Sequence, residues 1–83
     1  MASTKHDRNL NESASWEAKA DAAAEDDNPG DAALYYGLAA IAHPDPAAAA
    51  TLVLLRDAHN DEAELREATA TAILERQATS RAR

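Results

Sequence analysis

The stretch Ala32–Leu55, AALYYGLAAIAHPDPAAAATLVLL, decides the fold. It holds most of the large apolar side chains, no Lys or Arg, and one formal charge, Asp45, set inside His43-Pro44-Asp45-Pro46. The residue before a proline is pushed out of the α region, so a helix must end at His43. Asp45 can accept from a free backbone N–H and Pro46 suits a first helical position, so the next helix starts at once. The reading is two core helices, about 29–42 and 46–59, joined by a tight corner.

Upstream, Glu25-Asp26-Asp27-Asn28-Pro29-Gly30-Asp31 marks the start of the first of these helices. Asn28 as cap, Pro29 at the first helical position and Asp31 in the first turn agree with one another. A calcium loop would need alternating oxygen ligands and a following bidentate Glu, which are missing, so no metal is expected there. Within 29–42, Leu34, Leu38 and Ile41 form one stripe, with Tyr35 and Ala42 beside it, and this is the predicted core face. Ala33, Gly37 and Ala40 form a small-residue stripe where a neighbouring helix could approach closely. Tyr35 and Tyr36 are expected at the core edge.

Downstream, the helix over 46–59 is apolar nearly all round at Leu52, Val53, Leu54 and Leu55, which demands cover. Asn60 or Asp61 can open a fourth helix over about 61–78, with Asp61-Glu62-Ala63-Glu64 resembling a capping box. Leu65, Ala68, Thr69, Ala72, Ile73 and Arg76 share one of its faces, with Leu74 to the side. Before the core, Asn11 or Ser13 can cap a helix over about 13–26, with Trp16, Ala20, Ala23 and Ala24 on its inner face. The expected architecture is all-α, a small antiparallel bundle of three to four short helices. Residues 11–79 would form the single domain, between a flexible arm at 1–10 and a flexible basic tail at 80–83.

Two local patterns carry family resemblances. Ala32, Tyr36, Ala39 and Pro44, with Trp16 and Ala20 before them, are spaced as in the tetratricopeptide repeat, a helical hairpin of about 34 residues. Lys19 and Ala23 stand where that family has a leucine and a tyrosine, and no second repeat follows. Tyr35, Leu38, Ala39 and His43-Pro44-Asp45 resemble the J-domain of co-chaperones, and Leu52, Leu55 and Ala58 echo its next helix. That resemblance implies stimulation of a chaperone ATPase through the tripeptide and a basic helix. Here the corresponding helix has no basic residue, the loop is short and the leucine-rich first helix is missing. Neither resemblance supplies site residues.

Composition limits the function. The 83 residues include 23 alanines, no cysteine, and 15 acidic against 8 basic residues, for a net charge of −7. A phosphate backbone would repel such a chain, so no nucleic-acid partner is expected. The longest apolar run is broken by two prolines and the first 31 residues are polar, so neither a membrane span nor a signal peptide is predicted. A cytoplasmic protein is the default. His43 and His59 fall at predicted helix ends, where an imidazole caps carbonyls. There is no Gly-rich phosphate loop, no H-E-x-x-H and no recognisable nucleophile with its base. No catalytic residue, cofactor or metal ligand is assigned, and the chain is not expected to be an enzyme.

Two functions remain. One is an interaction module that meets another protein chain or a second copy through Leu52, Val53, Leu54, Leu55, Leu65, Ile73 and Leu74. The other is an acidic inhibitor, of antitoxin, phage-antagonist or nucleic-acid-mimic type. It would occupy a basic site through Glu25, Asp26, Asp27 and Asp31.

Overall fold

The computed structural model describes residues 4–81, which form three α-helices and no strand: α1 (Lys5–Glu25), α2 (Pro29–Ala42) and α3 (Pro46–Arg81). The class is all-α, but the expected bundle of up to four short helices gives way to three, the third much longer than the rest. At 1.5 Å per residue α3 is about 54 Å long. The radius of gyration is 17.9 Å and the extents are 72 × 20 × 15 Å. A compact chain of this length would have a radius of gyration of about 12 Å.

Local capping explains the borders of α2. Asn28 Oδ1 accepts from Asp31 N–H at 3.2 Å while Asn28 Nδ2 donates to Asp31 Oδ2 at 2.9 Å. At the other end His43 N–H donates to Ala39 O at 3.0 Å, and Asp45 Oδ1 accepts from Ala47 N–H at 3.2 Å to start α3. Both ends of α2 therefore lie where the caps and prolines put them.

The other borders differ from expectation. α1 begins at Lys5, capped by Thr4, whose Oγ1 accepts from Asp7 N–H at 3.1 Å. Residues 5–10, expected as part of an arm, are thus helical; residues 1–3 lie outside the described residues. Ser13 is no cap. It is buried, and its Oγ donates to Ala39 O at 2.7 Å. Nothing stops α3 at Asn60–Asp61. Neither a glycine nor a proline stands there, and carrying Asn or Asp inside a helix costs only about 0.7 kcal/mol. Ser80 and Arg81 belong to α3, while residues 82–83 of the expected tail lie outside the described residues.

α2 lies between its neighbours. Ser13 meets Ala39, and Asp21 meets Tyr36, so residue order runs in opposite senses along α1 and α2. On the other flank Tyr36 stacks on His59 and Gly37 faces Arg56. The core is small: Ala20, Ala32, Tyr36, Ala39 and Leu52, with Trp16, Ala23, Ala24, Tyr35 and Ala40 packed against it. Trp16, Ala20, Ala32, Tyr36 and Ala39, which carry the tetratricopeptide-like spacing, all lie in or against this core.

The predicted core stripe of α2 is the wrong face. Leu34 is exposed, Ile41 is 84% exposed, and Leu38 is only half-buried. The aromatic anchors decide the orientation. Trp16 and Tyr35 stack at 5.8 Å, Tyr36 and His59 at 5.4 Å, each pair at 16° between planes. Each ring buries more apolar surface than a leucine does, and stacking adds to that, so the side of α2 carrying both tyrosines and the alanines turns inward. Leu34 and Ile41 are left outside.

Candidate partner-binding surface

The residues expected to meet a partner separate into two groups. Leu52 does not belong to the surface. It is 4% exposed and inserts among Ala20, Ala32, Tyr36 and Ala39. Val53 is half-buried. Leu54 is 69% and Leu55 38% exposed, and Leu65, Ile73 and Leu74 lie further along α3 at 67%, 52% and 65% exposure. The uninterrupted helix therefore leads from the core to an overhang. Every residue from Glu64 to Arg81 is exposed. Beyond Arg66, no α3 side chain bonds to another element among the described residues; Thr69 and Thr79 donate only to Leu65 O and Glu75 O of their own helix.

Leu34 and Ile41 are apolar surface that sequence reasoning missed, since it placed them in the core. The signal that could have found them is the opposite face of the same helix. Ala32, Tyr36 and Ala39 are also helically spaced, and they carry an aromatic partner for α1.

Arg66 ties the base of the overhang to the corner between α1 and α2. That corner closes with two bonds, Asp27 N–H to Ala24 O at 3.1 Å and Asn28 N–H to Ala23 O at 2.9 Å. This pattern requires a left-handed residue, usually glycine; here Asp27 fills it at φ 59°. The Arg66 guanidinium donates to Asp27 Oδ1 at 2.6 Å and to Asp27 O at 3.2 Å, and reaches Glu62 Oε1 at 2.8 Å. The hydrogen bond and charge of Arg66 hold the Asp27 carboxyl below its ordinary value. The two carboxylates in turn keep Arg66 protonated.

The acidic group is thus partly committed to structure. Asp27 is held by Arg66 and Asp31 by Asn28, whereas Glu25 and Asp26 are exposed and make no ion pair among the described residues.

His43 serves a turn and His59 serves packing. His43 caps α2 through its backbone, but its ring accepts from Asp45 N–H at Nδ1, 3.0 Å away, and does not donate to carbonyls. His59 was expected at a helix end and instead lies in mid-helix. Its ring covers Tyr36, and Nδ1 stands 4.0 Å from Glu62 Oε2. Tyr36 donates to Asp21 Oδ1 at 2.5 Å; burial, this bond and the charges of Asp21 and Glu17 push its phenol up to about 12. Among the described residues no three His, Cys, Asp or Glu side chains gather to hold a metal ion, and no helix is long and apolar enough to cross a membrane.

Comparison with protein-family models, curated proteins and solved structures finds no match to this chain. The tetratricopeptide-like and J-domain-like patterns therefore remain local resemblances around one helix.

Proposed function

We propose that the chain is a non-enzymatic interaction module that offers the apolar side of α3 to another protein chain, working in the cytoplasm without cofactor, nucleic acid or membrane. The supporting observation is the overhang, where Leu65, Ile73 and Leu74 stand exposed and, among the described residues, no side chain beyond Arg66 bonds to another element. Most helical stability in proteins comes from packing an apolar face, and the overhang leaves its own unpacked. A photo-crosslinking residue replacing Leu65 in the full chain tests the reading in the native host. An adduct with a protein is expected there, and none at exposed Glu12 on α1. Equal labelling at the two positions would sink the proposal.

A second reading, the acidic inhibitor of a basic site, draws on the charge of −7 and on Glu25 and Asp26, which are exposed and make no ion pair among the described residues. Its binding would weaken steeply with salt. Asp26→Asn would weaken it more than Asp27→Asn, because Asp27 is already engaged by Arg66. Salt-insensitive binding would refute it.

A further inference from the structure

The overhang of α3 carries a pattern with its own two-fold symmetry. With about 100° between successive residues, positions four apart and seven apart share a face. Leu65 and Ile73 lie four residues before and after Thr69. Glu62 and Arg76 lie seven residues before and after it. Leu65 and Ile73 are both exposed, and Arg76 makes no ion pair among the described residues. The Thr69 hydroxyl is satisfied by Leu65 O at 2.8 Å, so the centre of the pattern brings no unpaired donor.

Charge along the helix is lopsided in the same sense. From Asp57 to Glu67 there are five carboxylates and only Arg66 against them, whereas from Ala68 onward Glu75 faces Arg76, Arg81 and Arg83. A parallel copy would set acid against acid and base against base. An antiparallel copy sets the acidic half of each helix along the basic half of the other.

We infer that α3 pairs with α3 of a second copy of this chain, antiparallel, about a two-fold axis at Thr69. Leu65 then packs on Ile73 of the second copy, and Glu62, whose Oε1 already accepts from Arg66, meets Arg76 of the second copy through Oε2, each contact occurring twice as an isologous interface requires. This inference rests on the interaction-module reading and names the partner. The contact spans about four turns between Glu62 and Arg76. It is therefore a reversible pairing that depends on concentration and weakens with salt, because its ion pairs are exposed.

The chain has no cysteine, so single cysteines at two exposed positions test the geometry in the 83-residue chain. Thr69→Cys places the two thiols at the axis. Ala58→Cys places them about 33 Å apart along the helices. Mild oxidation should convert most of the T69C chain to a covalent dimer and leave A58C monomeric, and sedimentation of the unsubstituted chain should show dimer rising with concentration. Arg76→Glu, which turns two attractions into repulsions, should weaken the dimer about tenfold. A monomer at every concentration, or equal crosslinking of T69C and A58C, would overturn the inference. If the photo-probe at Leu65 traps only a different chain, self-pairing falls and the interaction module stands. If it traps neither, both fall.

Discussion

Leu52→Ala is the sharpest test of how α3 docks. Leu52 is the one large aliphatic side chain among the buried residues described, and its neighbours are three alanines and Tyr36. Alanines have no side-chain freedom with which to close a cavity, which raises the cost. The site also borders a shallow cleft lined by Glu17, His43, Thr51 and Leu55, so water can reach the vacated space, which lowers it. Leu→Ala in a core costs about 2–5 kcal/mol, and the balance of these effects puts Leu52 near about 3 kcal/mol. At about 0.05–0.15 kcal/mol per residue, 83 residues give a total of about 4–12 kcal/mol, so the loss is a large fraction of the whole. Urea unfolding, followed both by helical ellipticity and by Trp16 fluorescence, should show the midpoint falling by about 2–3 M. Leu54→Ala, two positions on and exposed, should stay within about 0.5 kcal/mol of the parent. Equal losses at Leu52 and Leu54 would refute the placement of α3, since they would mean that the apolar run is buried all round or nowhere.

Ser13→Ala should cost about 1 kcal/mol in the same assay, because the buried Oγ bond to Ala39 O is lost while that carbonyl keeps its bond from His43 N–H. Gly37→Ala should stabilise by several tenths of a kcal/mol: the helix gains up to about 1 kcal/mol, and the new Cβ meets the flexible Arg56 side chain, Cδ at 3.2 Å and Cγ at 3.8 Å, which must give slightly. A loss larger than about 1 kcal/mol would instead show that Gly37 sets the spacing of α2 and α3. Tyr36 should make the fold sensitive to alkali. Its phenol holds the proton more tightly folded, near 12, than unfolded, near 10, so its contribution is complete below the unfolded value and is lost as pH rises through that interval. Tyrosinate absorbance should show a late phase that Tyr36→Phe removes.

The candidate surface was only partly legible in the sequence. The run Leu52–Leu55 reads as apolar nearly all round and in need of cover, and Leu65, Ile73 and Leu74 join it as a partner face; of these, Leu54, Leu55, Leu65, Ile73 and Leu74 are exposed. Leu52 could not be told from them, because a helix that is apolar on every side gives no periodic signal for the face that docks. Leu34 and Ile41 were hidden by the rule that the bulkier stripe faces the core.

What the sequence determined by itself is whatever acts within a few residues. The two corners and both ends of α2 follow from Asn28-Pro29, His43-Pro44 and Asp45-Pro46, because caps and prolines act through their own backbone neighbourhood. Where the local signal was permissive, as at Thr4 or at Asn60–Asp61, helix could begin or continue at little cost and the boundary was open. The tertiary structure decided which faces meet. Packing Trp16 on Tyr35 and His59 on Tyr36 turned the alanine side of α2 inward and Leu34 and Ile41 outward, and buried Leu52 alone of its run. These outcomes depend on the aromatic partners that α1 and α3 bring to α2, and residues that distant in the chain leave no mark on one another's sequence.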